Sequence, residues 1–200
     1  MLSLKPFLFL AAGLAAGVLL ALASFTWHLS IGWIGAIGLV GWALYARRRW
    51  TMLESTTGLG PSPPERMLWL RLSGTALILG HLVAAIMLVG NNLRVGYGNS
   101  LAADSWTMAV GYMLAALLFR RDSNQSDERH QAIESYGHRI GYGASIVLLL
   151  PLIAWLAFTP RHWRVFFSDF VIANVLIALL LASYVALLFV QLVGYARDTR

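Results

Sequence analysis

The chain has no cysteine. That absence removes several chemistries together: disulfide frameworks, thiolate metal sites, CxxCH haem attachment, Cys-ligated iron–sulfur clusters and a nucleophilic thiol. It also leaves the redox compartment unmarked. Charge is nearly as scarce, at 12% of the 200 residues, about half the fraction of an ordinary soluble domain. Of the fifteen basic residues only Lys5 is a lysine. The net charge of +6 comes from arginines scattered in small loop clusters, which fits membrane topology and argues against direct nucleic-acid binding. No Ser-His-Asp ordering, HExxH, Walker loop or pair of intramembrane carboxylates occurs, so the sequence implies no enzyme activity and no cofactor.

Apolar sequence is what the chain has in quantity: 58% hydrophobic residues and a mean hydropathy of +0.68. Six runs stand out, at 7–26, 31–46, 68–89, 101–119, 140–158 and 167–195. A bilayer core of about 30 Å takes about 20 helical residues, so six spans use roughly 120 positions and leave no room for a soluble domain. The expectation is an all-α polytopic bundle in the lipid bilayer, one transmembrane domain over residues 1–200, with loops at 47–66 and 120–139. Counting Lys and Arg with the N-terminus inside puts 12 on the cytoplasmic side and 3 outside, Arg94, Arg161 and Arg164. Both termini are therefore expected to be cytoplasmic. Met1 to Lys5 with Ala21-Leu22-Ala23 also suits a cleaved signal peptide, but the apolar run is long for one, and a true span is expected.

Helix starts are legible in both long loops. Ser62, Pro63 and Glu65 match a capping box with proline at the first helical position, predicting the start of the third helix. Ser126 suits an N-cap that places Asp127 and Glu128 at the positive dipole end of a helix running through His138 into span five. Glu65-Arg66-x3-Leu70-x3-Gly74-x5-Gly80 parallels Glu128-Arg129-x3-Ile133-x3-Gly137-x5-Gly143, a match that a duplicated unit or coincidence explains equally. Small residues recur at packing spacing: Gly13 and Gly17, then Gly32, Gly35, Gly38 and Gly41, then Gly137 and Gly141. They serve contacts within one chain or in a homodimer.

Three polar groups are candidate sites. His130, Glu134 and His138 fall at i, i+4 and i+8 on one helix face, which suits a solvated ion-paired face first, a transition-metal ligand set second, and pH sensing third. The first and last of them are about 12 Å apart along the axis, so a metal would need a partner helix. His81 lies about 13 positions into span three, where an ionisable group faces the bundle interior or a water-filled cavity. Asn174 and Ser145 are its candidate partners, or a carbonyl freed by Pro151. Outside, Asp104 and Asp169 suit helix caps or dipole partners, or ion pairs with Arg161 or Arg164 that shape a ligand-sensing mouth.

The stretch Asp127-Glu128-Arg129-x3-Ile133-x2-Tyr136-Gly137-x-Arg139-x2-Tyr142 resembles small bacterial membrane proteins with a juxtamembrane DERxxxI motif, among them the uncharacterised DUF2178-type proteins. The likeness covers residues 127–158, and the remainder only in helix pattern. Several such proteins look like companions of DNA-binding regulators. The resemblance implies a multi-pass protein of the bacterial inner membrane that holds a cytoplasmic transcription regulator through Asp127, Glu128, Arg129, His130, Ile133 and Glu134. A charged cytoplasmic helix face is a suitable dock for a soluble partner. The alternative is a small transporter or channel with its pathway near His81 and Asn174.

Overall fold

The computed structural model describes residues 4–58, 60–93, 100–119, 128–160 and 168–198. Among them are six α-helices, one short 3-10 turn and no strand: α1 Lys5–Trp27, α2 Gly32–Thr57, α3 Pro63–Val89, the turn Gly90–Asn92, α4 Leu101–Leu117, α5 Glu128–Phe158 and α6 Asp169–Asp198. The described chain is 91% helical. Helices α1, α3, α5 and α6 are long and apolar enough to cross a membrane, while α4 is apolar but shorter. Large apolar side chains cover their outer faces, among them Leu19, Leu150, Val147 and Leu180. Such a surface is unstable in water over this extent and stable in lipid. The chain is a helical membrane protein.

Helix boundaries follow local chemistry. Pro6 sits in the first turn of α1, where no intrahelical N–H is needed, and α1 ends at His28 in the left-handed region. α2 ends at Gly58, whose φ of 65° suits glycine and whose N–H donates to the Glu54 carbonyl. Thus α2 continues well past the apolar run, through Arg47 to Thr57, where the sequence suggested loop. Tertiary contacts hold this extension: Trp50 packs edge-on to Phe119, and Arg66 pairs with Glu54 at 2.6 Å. Helix α3 begins at Pro63 as expected, but the capping box is not made. Ser62 makes no side-chain cap, and Glu65 instead accepts from the Trp69 indole at 3.2 Å. Ser126 and Asp127 lie outside the described residues. The α5 helix does run unbroken from Glu128 through His138 to Phe158.

The most buried helix is α3, which packs against α1, α4 and α6. The α1–α3 contact is close because glycines face backbone: a Cβ on Gly17 would collide with the Leu77 carbonyl, and one on Gly80 with the backbone of Leu14. The Gly13-x3-Gly17 face is therefore used inside one chain. α2 pairs with α4 in the same manner, Gly111 against Ala36 and Gly32 against Asp104. The pair α5–α6 runs antiparallel, with Gly137 and Gly141 over Gln191 and Leu187. Gly38, Gly41 and Gly143 meet open space. Gly80 and Gly143, equivalent in the suggested repeat, thus do different things.

Candidate functional site along the central helix

Polar side chains gather at three levels along α3. The first is built around Asp104, in the first turn of α4 and fully buried. Its Oδ1 lies 2.5 Å from the Ser30 hydroxyl, and its Oδ2 lies 2.6 Å from the Ser24 hydroxyl and 3.4 Å from the Ile31 N–H. Ser24 also lies 2.8 Å from Ser100 Oγ and 2.9 Å from the Leu29 carbonyl. Asp104 thus ties the α1–α2 connection to the start of α4. The first-turn position places its carboxylate at the positive end of the α4 dipole. Arg161 and Arg164, its suggested ion-pair partners, lie outside the described residues. Asp169 is exposed in the first turn of α6, a place that suits a dipole partner.

His81 comes next. It is fully buried, and its Nδ1 lies 3.0 Å from Ser105 Oγ in α4, the residue after Asp104. The sequence suggested Asn174 or Ser145 in that role. Asn174 instead donates to the Phe170 carbonyl at 2.8 Å and Ser145 to the Gly141 carbonyl at 3.0 Å, each within its own helix. His81 Nε2 has no hydrogen-bond partner among the described residues. A buried polar atom without a partner carries a desolvation cost of about 1–3 kcal/mol.

Ser105 and Asn174 share a cavity of about 460 Å³ between α3, α4 and α6, lined also by Thr75, Tyr112 and Tyr184. The Tyr112 ring lies over Gly74, which has no side chain to obstruct it. A second cavity, about 350 Å³, lies toward the other end of the same α3–α6 seam and is lined by Arg71, His130, Glu134, His138, Gln191 and, again, Tyr184. Tyr184 is the side chain common to both. Arg71 and Thr75, one helical turn apart, lie one in each cavity.

In the second cavity Glu134 sits between two imidazoles, 3.8 Å from His130 Nε2 and 3.6 Å from His138 Nε2. His130 Nδ1 also hydrogen-bonds the Tyr195 hydroxyl, and Gln191 Nε2 donates to the Glu134 carbonyl at 3.4 Å. Among the described residues no group of three or more His, Asp or Glu side chains is arranged to hold a metal ion. His130, Glu134 and His138 stand in line along one face of α5, the carboxylate within ion-pair distance of both imidazoles. Of the residues expected to bind a partner, Arg129 lies over the Tyr195 ring at 5.8 Å, His130 bonds Tyr195, and Ile133 packs on Gly194. Glu128 and Glu134 are exposed.

No family model, curated protein or solved structure matches the chain. The likeness to DERxxxI proteins therefore rests on residues 127–158 alone. Sequence reasoning passed over Ser24, Ser30, Ser100, Ser105 and Tyr184. A serine in an apolar helix ordinarily returns its hydroxyl to its own backbone, so nothing marked these until α1, α3, α4 and α6 were placed together.

Proposed function

We propose that the protein is a small six-span transporter or channel of the bacterial inner membrane, with both termini cytoplasmic and a solute path along the α3–α6 seam. The observation that carries this reading is the succession of two cavities that share Tyr184, one lined by Arg71, His130, Glu134, His138 and Gln191, the other mostly apolar with Thr75, Ser105, Tyr112 and Asn174 in its wall. Ionisable side chains inside a membrane bundle face its interior or a water-filled cavity and often line solute paths. Tyr184 lines both cavities, with Thr75 in one and Arg71 in the other, and in this reading its side chain is the closure that alternating access requires. The hydroxyl and amide groups of the outer cavity, with Arg71 and the imidazoles of the inner one, suit a small polar or anionic solute.

The cysteine-free chain is suited to accessibility mapping. In oriented vesicles, Ser105→Cys and Asn174→Cys are expected to react with an impermeant thiol reagent from the outer side only, and Gln191→Cys from the cytoplasmic side only. Failure of all three to react would mean that the cavities are filled by lipid, and would end this reading.

The exposure of Glu128 and Glu134 at the start of α5 favours a second reading, in which that end holds a cytoplasmic regulator. Of the six expected contact residues, Arg129, His130 and Ile133 touch α6, Glu128 and Glu134 are exposed, and Asp127 lies outside the described residues. Recovery of a DNA-binding protein with the tagged wild type, and its loss with Glu128→Lys, would support it.

A further inference from the structure

Arg71 lies about two turns into α3, half-buried, on the wall of the cavity of about 350 Å³ that α5 and α6 complete. Among the described residues its guanidinium has no hydrogen bond and no ion pair. A guanidinium carries five N–H donors and a full charge, and inside a membrane bundle such a group is costly without a partner. Across the same cavity stands Glu134 of α5, the one carboxylate among the described residues that line it. The two do not pair with each other. The Glu134 carboxylate makes no hydrogen bond among the described residues either, because His130 and His138 stand 3.8 and 3.6 Å from it, distances too long for one. A cation on α3 and an anion on α5 thus share one space, each with its hydrogen-bonding capacity unused.

We propose that this cavity binds a small zwitterion of the amino-acid class, its carboxylate on Arg71 and its ammonium on Glu134. The site belongs to the solute path proposed above and rests on that reading for its purpose, since it names the class of solute that the path carries. The planar fork of a guanidinium matches a carboxylate bidentately. An ammonium has three N–H donors. Glu134 would accept one of them. Gln191, buried in the same cavity wall, would accept another, because its Nε2 donates to the Glu134 carbonyl at 3.4 Å and its amide oxygen remains as an acceptor. A simple anion would satisfy Arg71 but face Glu134 as a like charge, and a simple cation would reverse the conflict. A zwitterion satisfies both and adds no net charge to the space. Met67, Leu68 and Leu187 supply an apolar wall that suits an aliphatic side chain. Glu134 and His138 are exposed, which gives the cavity an open side for entry.

The test uses the full chain in detergent, with thermal unfolding followed in titrations of leucine, of isocaproate, which is leucine without its amine, and of isoamylamine, which is leucine without its carboxylate. The expected result is a saturable rise in Tm with leucine, and an affinity weaker by about tenfold or more for either analogue, since each lacks one charged hydrogen-bonding group. Arg71→Gln should abolish the leucine response. Glu134→Gln, altered at an exposed position and expected to fold, should remove the preference for leucine over isocaproate while keeping carboxylate binding. That second variant decides the matter if Arg71→Gln fails to fold. A wild type that responds to neither leucine nor alanine overturns the proposal, as does an equal response to isocaproate or a leucine response unchanged in Glu134→Gln. A stronger response to inorganic phosphate also overturns it, since the cavity would then hold phosphate or a lipid headgroup. Thiol labelling of the seam tests the transport reading separately. Labelling without a leucine response ends this proposal alone, and a leucine response without labelling leaves a zwitterion site in a protein that does not transport.

Discussion

The Ser24 hydroxyl lies 2.6 Å from the Asp104 carboxylate across eighty positions of sequence, joining the end of α1 to the start of α4. Neither helix packs extensively on the other; α1 lies on α3, and α4 lies on α2 and α3. The contact is thus a polar link between two helix pairs that otherwise meet through α3. A buried hydrogen bond to a charged group contributes about 1.5–3 kcal/mol. Ser24→Ala should destabilise the protein by about 2 kcal/mol, measured by thermal unfolding. Stability equal to wild type would show that Asp104 is satisfied without Ser24.

The glycines separate into two groups with opposite expected responses. A Cβ at Gly17 would meet the Leu77 carbonyl, which belongs to helix backbone and cannot swing aside, whereas Gly41 faces open space. Gly17→Ala should therefore force α1 away from α3 at a cost of about 1–3 kcal/mol or more. Gly41→Ala should be neutral or stabilising by about 0.5–1 kcal/mol, because alanine loses less backbone entropy in a helix. Folded yield and Tm of the two variants, compared side by side, test the assignment. A damaging Gly41→Ala would mean that α2 has a contact outside this chain.

Much of the architecture was legible before any coordinates, because lipid leaves helices as the one open-ended solution for a chain with these apolar runs. The choice of neighbours was not. α3 has no marked amphipathic stripe, so nothing in its pattern indicates which helix each face meets. His81 could be marked as an intramembrane ionisable group but not assigned to Ser105. Gly13 and Gly17 announced a close contact without naming α3 as its partner. Asp104 was visible as an acid at a helix start; its burial depends on the α1–α2 connection folding over it, a contact between distant positions that local pattern does not carry. Ile133 was legible only as part of a motif, and its packing on Gly194 of α6 emerges only once α5 and α6 are set side by side.

The ion-paired face on α5 should matter little to stability. The side chains of Glu134 and His138 are 49% and 64% exposed, and ion pairs at such positions contribute about 0–1 kcal/mol. Glu134→Ala is expected to shift stability by less than about 1 kcal/mol, and zinc or a strong chelator should leave Tm unchanged in wild type and variant alike. A zinc-dependent rise in Tm lost in Glu134→Ala would support the metal reading, with a ligand supplied from another helix.

Tyr184 lines both cavities, and under the proposed transport reading its removal should connect them. Tyr184→Ala deletes the ring and hydroxyl while keeping a good helix former, so α6 should retain its course. A channel held shut by one aromatic side chain should then leak, whereas an alternating-access carrier should still be closed by the helices themselves. In the Tyr184→Ala background, Gln191→Cys is expected to become reactive toward an impermeant thiol reagent added from the outer side, with a rate at least about tenfold above that in the Tyr184 background, which corresponds to about 1.4 kcal/mol in barrier. Ser105→Cys, on the near side of the closure, should react at an unchanged rate and serves as the internal reference. If Gln191→Cys remains unreactive from outside while Ser105→Cys reacts normally, Tyr184 is not the barrier, and closure must lie in the packing of α3 on α6 around Leu68, Leu72 and Leu188, whose buried side chains belong to the main core.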